Sequence, residues 1–91
     1  MQNVQSILVI EDNEGDFFLL KDVLEHGDLQ VGEITNLSNL QLVHQQKASL
    51  HPSLIFLDLM LPDSYGLSSL AEINQLFPSL PIIVLSGIND L

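Results

Sequence analysis

The stretch SLIFLDLMLPDSYG, from Ser53 to Gly66, constrains this chain more than any other. Leu54-Ile55-Phe56-Leu57 run without alternation and stop on a carboxylate, Asp58. An unalternating apolar run of this length reads as a strand covered on both faces, as in a parallel sheet. An ionised carboxylate is costly to bury, so the end of that strand belongs at the mouth of the sheet. The pattern recurs. Ile7-Leu8-Val9-Ile10 ends on Glu11-Asp12, and Ile82-Ile83-Val84-Leu85 ends on Ser86-Gly87. If the three runs are parallel neighbours, Glu11, Asp12, Asp58 and Ser86 leave the sheet at one edge. Ligands of open α/β sheets bind there, outside the carboxyl ends of the strands.

Helical patterns fill the gaps. Asn13 is a good N-cap, with Asp16 three residues on, and the spacing predicts a helix to about His26 with Gly27 as its C-cap. Phe17, Leu19, Leu20, Val23 and Leu24 form one wide apolar face, with Phe18 on the polar side. Gln30 to Thr35 reads as a short edge strand. Ser38 with Gln41 repeats the capping signal and opens a short helix to about Gln46, whose apolar stripe of Leu40, Leu42 and Val43 is thin. A third helix is expected from about Tyr65 to Phe77, burying Leu67, Leu70, Ala71, Ile73 and Phe77, with Pro78 and Pro81 delivering the chain into the last strand. The result is β-α-β-α-β-α-β, a single α/β domain with right-handed crossovers.

Composition narrows the function. Two lysines face twelve acids, for a net charge of −10. Such a surface repels phosphate backbones and anionic lipid, so direct nucleic-acid or membrane binding is not expected, whereas divalent cations and basic partners suit it. Cysteine is absent, which excludes disulfides and thiolate metal sites and fits a cytoplasmic chain. No apolar run approaches the roughly 20 residues that span a bilayer. His26, His44 and His51 have no metal-site spacing and read as surface residues.

Carboxylates converging on one mouth repel one another unless a cation sits between them. Oxygen ligands of this kind suit Mg²⁺. Asp58 then has two possible tasks, as a metal ligand and as a nucleophile toward a phosphoryl group. Ser86 could donate to a phosphoryl oxygen, and Gly87 leaves room for close approach. A phosphatase with an aspartate nucleophile needs a second carboxylate two residues on, where this chain has Met60. A flavin site would need a phosphate-cradling loop after the first strand, where this chain has an acidic pair.

The pieces ILVIEDN, LIFLDLMLPDSYG and PIIVLSG, in this order and spacing, resemble the receiver domain of two-component response regulators. The resemblance implies a doubly wound parallel sheet of flavodoxin-like type, with strand order 2-1-3-4-5. It implies Mg²⁺ held by Asp12, Asp58 and the backbone carbonyl of Met60, with Glu11 helping through water. Asp58 would be the phosphoacceptor, served by a sensor histidine kinase or phosphotransfer protein, and Ser86 the switch hydroxyl. The domain would be a signalling module rather than an enzyme. Residues 1–91 correspond to a receiver that lacks the last helix-strand-helix, and with them the lysine that neutralises the phosphoryl group. Lys21 and Lys47 are not expected to reach the site. The uncovered first helix and the open last strand lead to an expectation of self-association, edge to edge across a twofold axis. The competing reading is a remnant that binds metal or self-assembles without phosphotransfer.

Overall fold

A central strand of the sheet is built from an apolar run that the fold buries completely. Residues Ile7 to Ile10 of β1 (Gln5–Ile10) are essentially inaccessible to solvent. In a computed structural model, which describes residues 4–85, β1 pairs in parallel with both β2 (Val31–Leu37) and β3 (Leu54–Asp58), and β3 pairs with β6 (Ile82–Leu85). The order β2-β1-β3-β6 reverses direction beside β1, which makes the sheet doubly wound. This is the expected 2-1-3-4 arrangement, with β2 at one edge of the described sheet. The two remaining strands, β4 (Met60–Leu61) and β5 (Ser64–Tyr65), form a small antiparallel hairpin behind β3 where the sequence suggests only a loop.

Register determines which side chains meet. Ile7 lies beside Leu54 and Val9 beside Phe56, while Leu8 lies beside Ile55 and Ile10 beside Leu57. The first set packs under helix α1 (Glu14–Glu25) with Phe17, Leu20 and Leu24. The second set forms the larger core with Leu40 and Val43 of α2 (Leu40–Gln46), Ile73 of α3 (Leu67–Leu76), and Phe77. Both faces of the sheet are therefore used, which is why its inner strands show no alternation.

Several local expectations need correction. The N-cap of α2 is Asn39, whose side chain accepts the Leu42 N–H at 2.8 Å, rather than Ser38. Leu40 and Val43 of the expected stripe are the buried residues of the helix. Helix α3 starts at Leu67 because Tyr65 belongs to the hairpin, and Leu67 and Ala71 face solvent. Ser69 takes a fully buried place on the inner face instead, its Oγ hydrogen-bonded to that of Ser64. On α1, Leu19 and Val23 are exposed with Phe18 rather than buried, because the sheet beneath accepts only the stripe 17-20-24. Gly27 does not provide a left-handed cap. Gly66 is the single positive-φ residue described, at φ 71°, where the hairpin turns into α3. No atom lies near the position a Cβ would take there, so the demand for glycine is conformational.

Candidate functional site

Three carboxylates meet at the carboxyl edge of β1 and β3. Glu11 and Asp12 follow β1 directly, Asp58 ends β3, and one oxygen from each lies within 4.8 Å of the others. The strands bring them together because Ile10 and Leu57 are register partners, so the next residues of both strands emerge side by side. Asp12 is exposed, while Glu11 and Asp58 are buried at 5% and 7% accessibility. The expectation that Asp58 reaches the mouth is met in position. Its carboxylate nonetheless sits below the rim rather than in open solvent.

The surroundings of Glu11 are built in detail. Its backbone N–H donates to the Leu37 carbonyl at 3.1 Å. The Asn36 amide donates to the carbonyls of Val9 and Glu11, at 3.0 and 3.1 Å. The Glu11 carboxylate accepts the Asn13 N–H at 3.2 Å. Burial pushes the Glu11 carboxyl up to about 7, aided by its hydrogen bond with Asp58 and the Asp58 and Asp16 charges, and opposed by the Asn13 N–H. A proton held that high shows how poorly the protein alone compensates negative charge at this point. A divalent cation among the three oxygens would supply that compensation, and an all-oxygen donor set fits Mg²⁺ or Mn²⁺.

Asp58 is held by the chain that follows it. Its Oδ1 accepts the Met60 N–H at 3.0 Å, fixing the rotation of the carboxylate. The Gly66 N–H donates to the Leu59 carbonyl at 2.7 Å and closes the base of the hairpin. At the tip, the Asp63 carboxylate accepts the N–H groups of Leu40 and Gln41, at 3.0 and 2.9 Å. Those bonds, that of Leu40 foremost, hold the Asp63 carboxyl below its ordinary value. Asn36 and Asp63 are the two residues with structural tasks around the site that sequence reasoning did not assign. An Asp after Pro in a turn was the available signal for the second, and the first gave none.

Neither described lysine joins the cluster. Lys21 pairs with Glu25 at 3.5 Å, and Lys47 lies over the Phe77 ring. The three histidines are exposed, as expected; His26 sits beside Asp22, and His44 pairs with Glu72 across α2 and α3. Ser86 lies outside the described residues. Among them, no helix is long and apolar enough to cross a membrane.

Comparisons with known proteins identify the fold and the family. The response regulator receiver domain profile matches residues 7–91. A manganese-bound form of response regulator Rcp1 is 32% identical with a TM-score of 0.76, over 94% of this chain and 68% of its own. A phosphorylated cyanobacterial phytochrome response regulator, RcpA, is 27% identical with a TM-score of 0.78, over 97% of this chain and 69% of its own. RcsB from Salmonella typhimurium shares the fold at a TM-score of 0.84 and 23% identity, and this chain spans 46% of it. No protein in the curated sequence collections matches the chain.

Proposed function

The chain belongs to the response regulator receiver domain family, and from that premise we propose that Asp58 accepts a phosphoryl group in a Mg²⁺-dependent transfer from a phosphohistidine. The observation that carries the assignment is the carboxylate cluster itself: Asp58 is the member that ends a central strand, is rotationally fixed by the Met60 N–H and lies against two other acids. Asp12, Asp58 and the Met60 carbonyl would hold the cation, with Glu11 acting through water. Bound there, the cation would neutralise the cluster and the incoming phosphoryl oxygens.

In the transfer, an Asp58 carboxylate oxygen attacks phosphorus as the P–N bond to the donor imidazole breaks. The electron pair of that bond leaves with the imidazole nitrogen, and Asp58 becomes an acyl phosphate. Burial of the nucleophile excludes water that would compete with it or hydrolyse the product. Ser86, next after β6, is the hydroxyl we assign to a phosphoryl oxygen. The donor is a sensor histidine kinase or a phosphotransfer protein, in the cytoplasm.

We also assign self-association to the 91-residue chain. Ile83 and Val84 of β6 are exposed on opposite faces of the sheet, and Phe18, Leu19 and Val23 of α1 are exposed together. Apolar surface of this kind is usually covered by another protein surface. Sedimentation should report a species heavier than the 10.1 kDa monomer; a monomer at high concentration would contradict this part of the reading.

Calorimetric titration tests the metal assignment. The chain should bind Mg²⁺, and Asp12→Asn and Asp58→Asn should each abolish binding. Unchanged affinity in either variant would remove that residue from the ligand set.

A further inference from the structure

We propose that Asp63 is a positioning residue for the phosphoacceptor loop, holding Met60 and Asp58 in register by anchoring the tip of the β4–β5 hairpin to the N-terminus of α2. The inference rests on the reading of Asp58 and Met60 given above and adds a residue that touches neither the cation nor the phosphoryl group.

The hairpin has only two residues on each strand, Met60–Leu61 against Ser64–Tyr65. Isolated two-stranded hairpins are marginal in water even when longer, so this one does not hold its own shape. Its geometry comes from its attachments. At the root, the Met60 N–H is bound to Asp58 and the Gly66 N–H to the Leu59 carbonyl. On one strand, Leu61 is buried in the main core. At the tip, Asp63 makes two hydrogen bonds to backbone N–H groups 22 and 23 residues away.

The far end of that anchor is rigid. Leu40 and Val43 are buried at 2% and 0% accessibility, so α2 is embedded in the larger core. Asn39, the residue immediately before α2, already accepts the Leu42 N–H. The cap of α2 is therefore divided: Asn39 serves the helix alone, whereas Asp63 ties the helix to the loop that carries Met60. Pro62, before Asp63, narrows the backbone of the turn and with it the directions open to the carboxylate. Without the tip bonds, the hairpin could pivot about Leu61, and the first group displaced would be Met60, whose N–H orients Asp58.

The division of the cap supplies the control. Asp63→Ala and Asn39→Ala each delete acceptors at the same helix end, but only the first releases the hairpin. Amide exchange measured by NMR in the metal-free chain should speed up at Met60 and Gly66 about five- to tenfold in Asp63→Ala, and stay near wild type in Asn39→Ala. Asp63→Asn, which keeps one acceptor oxygen, should fall between. Mg²⁺ affinity should weaken about fivefold or more in Asp63→Ala and not in Asn39→Ala. Unchanged exchange at both amides in Asp63→Ala overturns the inference. So does equal acceleration in Asn39→Ala, which would mean that any loosening of α2 is enough. If the wild-type chain does not bind Mg²⁺ at all, the metal assignment fails, and the exchange comparison still decides the role of Asp63.

Discussion

Helices α1 and α2 invert what their sequences suggest. Helix α1 has 12 residues, a side-chain N-cap from Asn13, acids in its first turn and six large apolar side chains, yet Leu24 alone among its residues is buried. Helix α2 has 7 residues and a thin apolar stripe, yet buries Leu40 and Val43 and is tied down from outside by Asp63. Apolar content sets what a helix can bury, and the surface opposite sets what it does bury. Helix α2 sits in the core shared by the sheet and α3, whereas α1 meets the sheet through one stripe and leaves Phe18, Leu19 and Val23 outside. The short helix thus contributes more to the larger core and to the site, and the long one offers surface.

Truncations test that contrast most strongly. Leu40→Ala should lower stability by about 3 kcal/mol, whereas Leu19→Ala should change it by less than about 0.5 kcal/mol. Chemical denaturation of both variants measures this; equal losses would mean that the exposed α1 face is covered in solution and would sharpen the case for self-association.

The site adds an electrostatic test. The Glu11 carboxyl titrates near 7 in the folded chain against an ordinary 4.5, so the folded state holds its proton more tightly than the unfolded state. Its contribution is complete below pH 4.5 and is lost as pH rises through 7, by roughly 3 kcal/mol without a divalent cation. Glu11→Gln should remove that fall, leaving the metal-free variant the more stable of the two at pH 8. Saturating Mg²⁺ should restore much of the wild-type loss, and thermal melts with and without chelator read both effects.

Smaller effects follow at the caps. Gly66→Ala forces a side chain into a positive-φ position and should cost about 1 kcal/mol or more. Asp63→Ala should cost about 1 kcal/mol at neutral pH. Because its carboxyl is held below the ordinary 3.8 in the folded state, the Asp63 contribution is present above that value and disappears as pH falls beneath it. Removing the exposed His44–Glu72 pair should matter least, at no more than about 0.5 kcal/mol.

Much of this was legible in the sequence because it rests on short-range patterns. Three apolar runs ending in polar residues gave the parallel strands, and their shared direction put Glu11, Asp12 and Asp58 at one edge. What was not legible depends on long-range geometry. Leu19 and Val23 satisfy helical periodicity as well as Leu20 and Leu24 do; what lies opposite each stripe decides between them, and only the second pair packs on the sheet. Ser38 and Asn39 are both capable caps, and local sequence does not choose between them; in the fold it is Asn39 that accepts the Leu42 N–H. Tyr65 and Leu67 looked like the start of a helix because a hairpin of two-residue strands carries too few side chains to show alternation. The Asp63 anchor joins residues more than twenty positions apart, a distance at which capping patterns are silent.

The measurement that tests the central claim most directly locates the phosphoryl group. The chain is incubated with Mg²⁺ and a small-molecule phosphodonor, then reduced with borohydride, which converts an aspartyl phosphate to homoserine, and the peptides are sequenced by mass spectrometry. The account predicts homoserine at position 58, with none when Mg²⁺ is chelated or in Asp58→Asn. No conversion in a chain shown to be folded, or conversion at Asp12 instead, would contradict it.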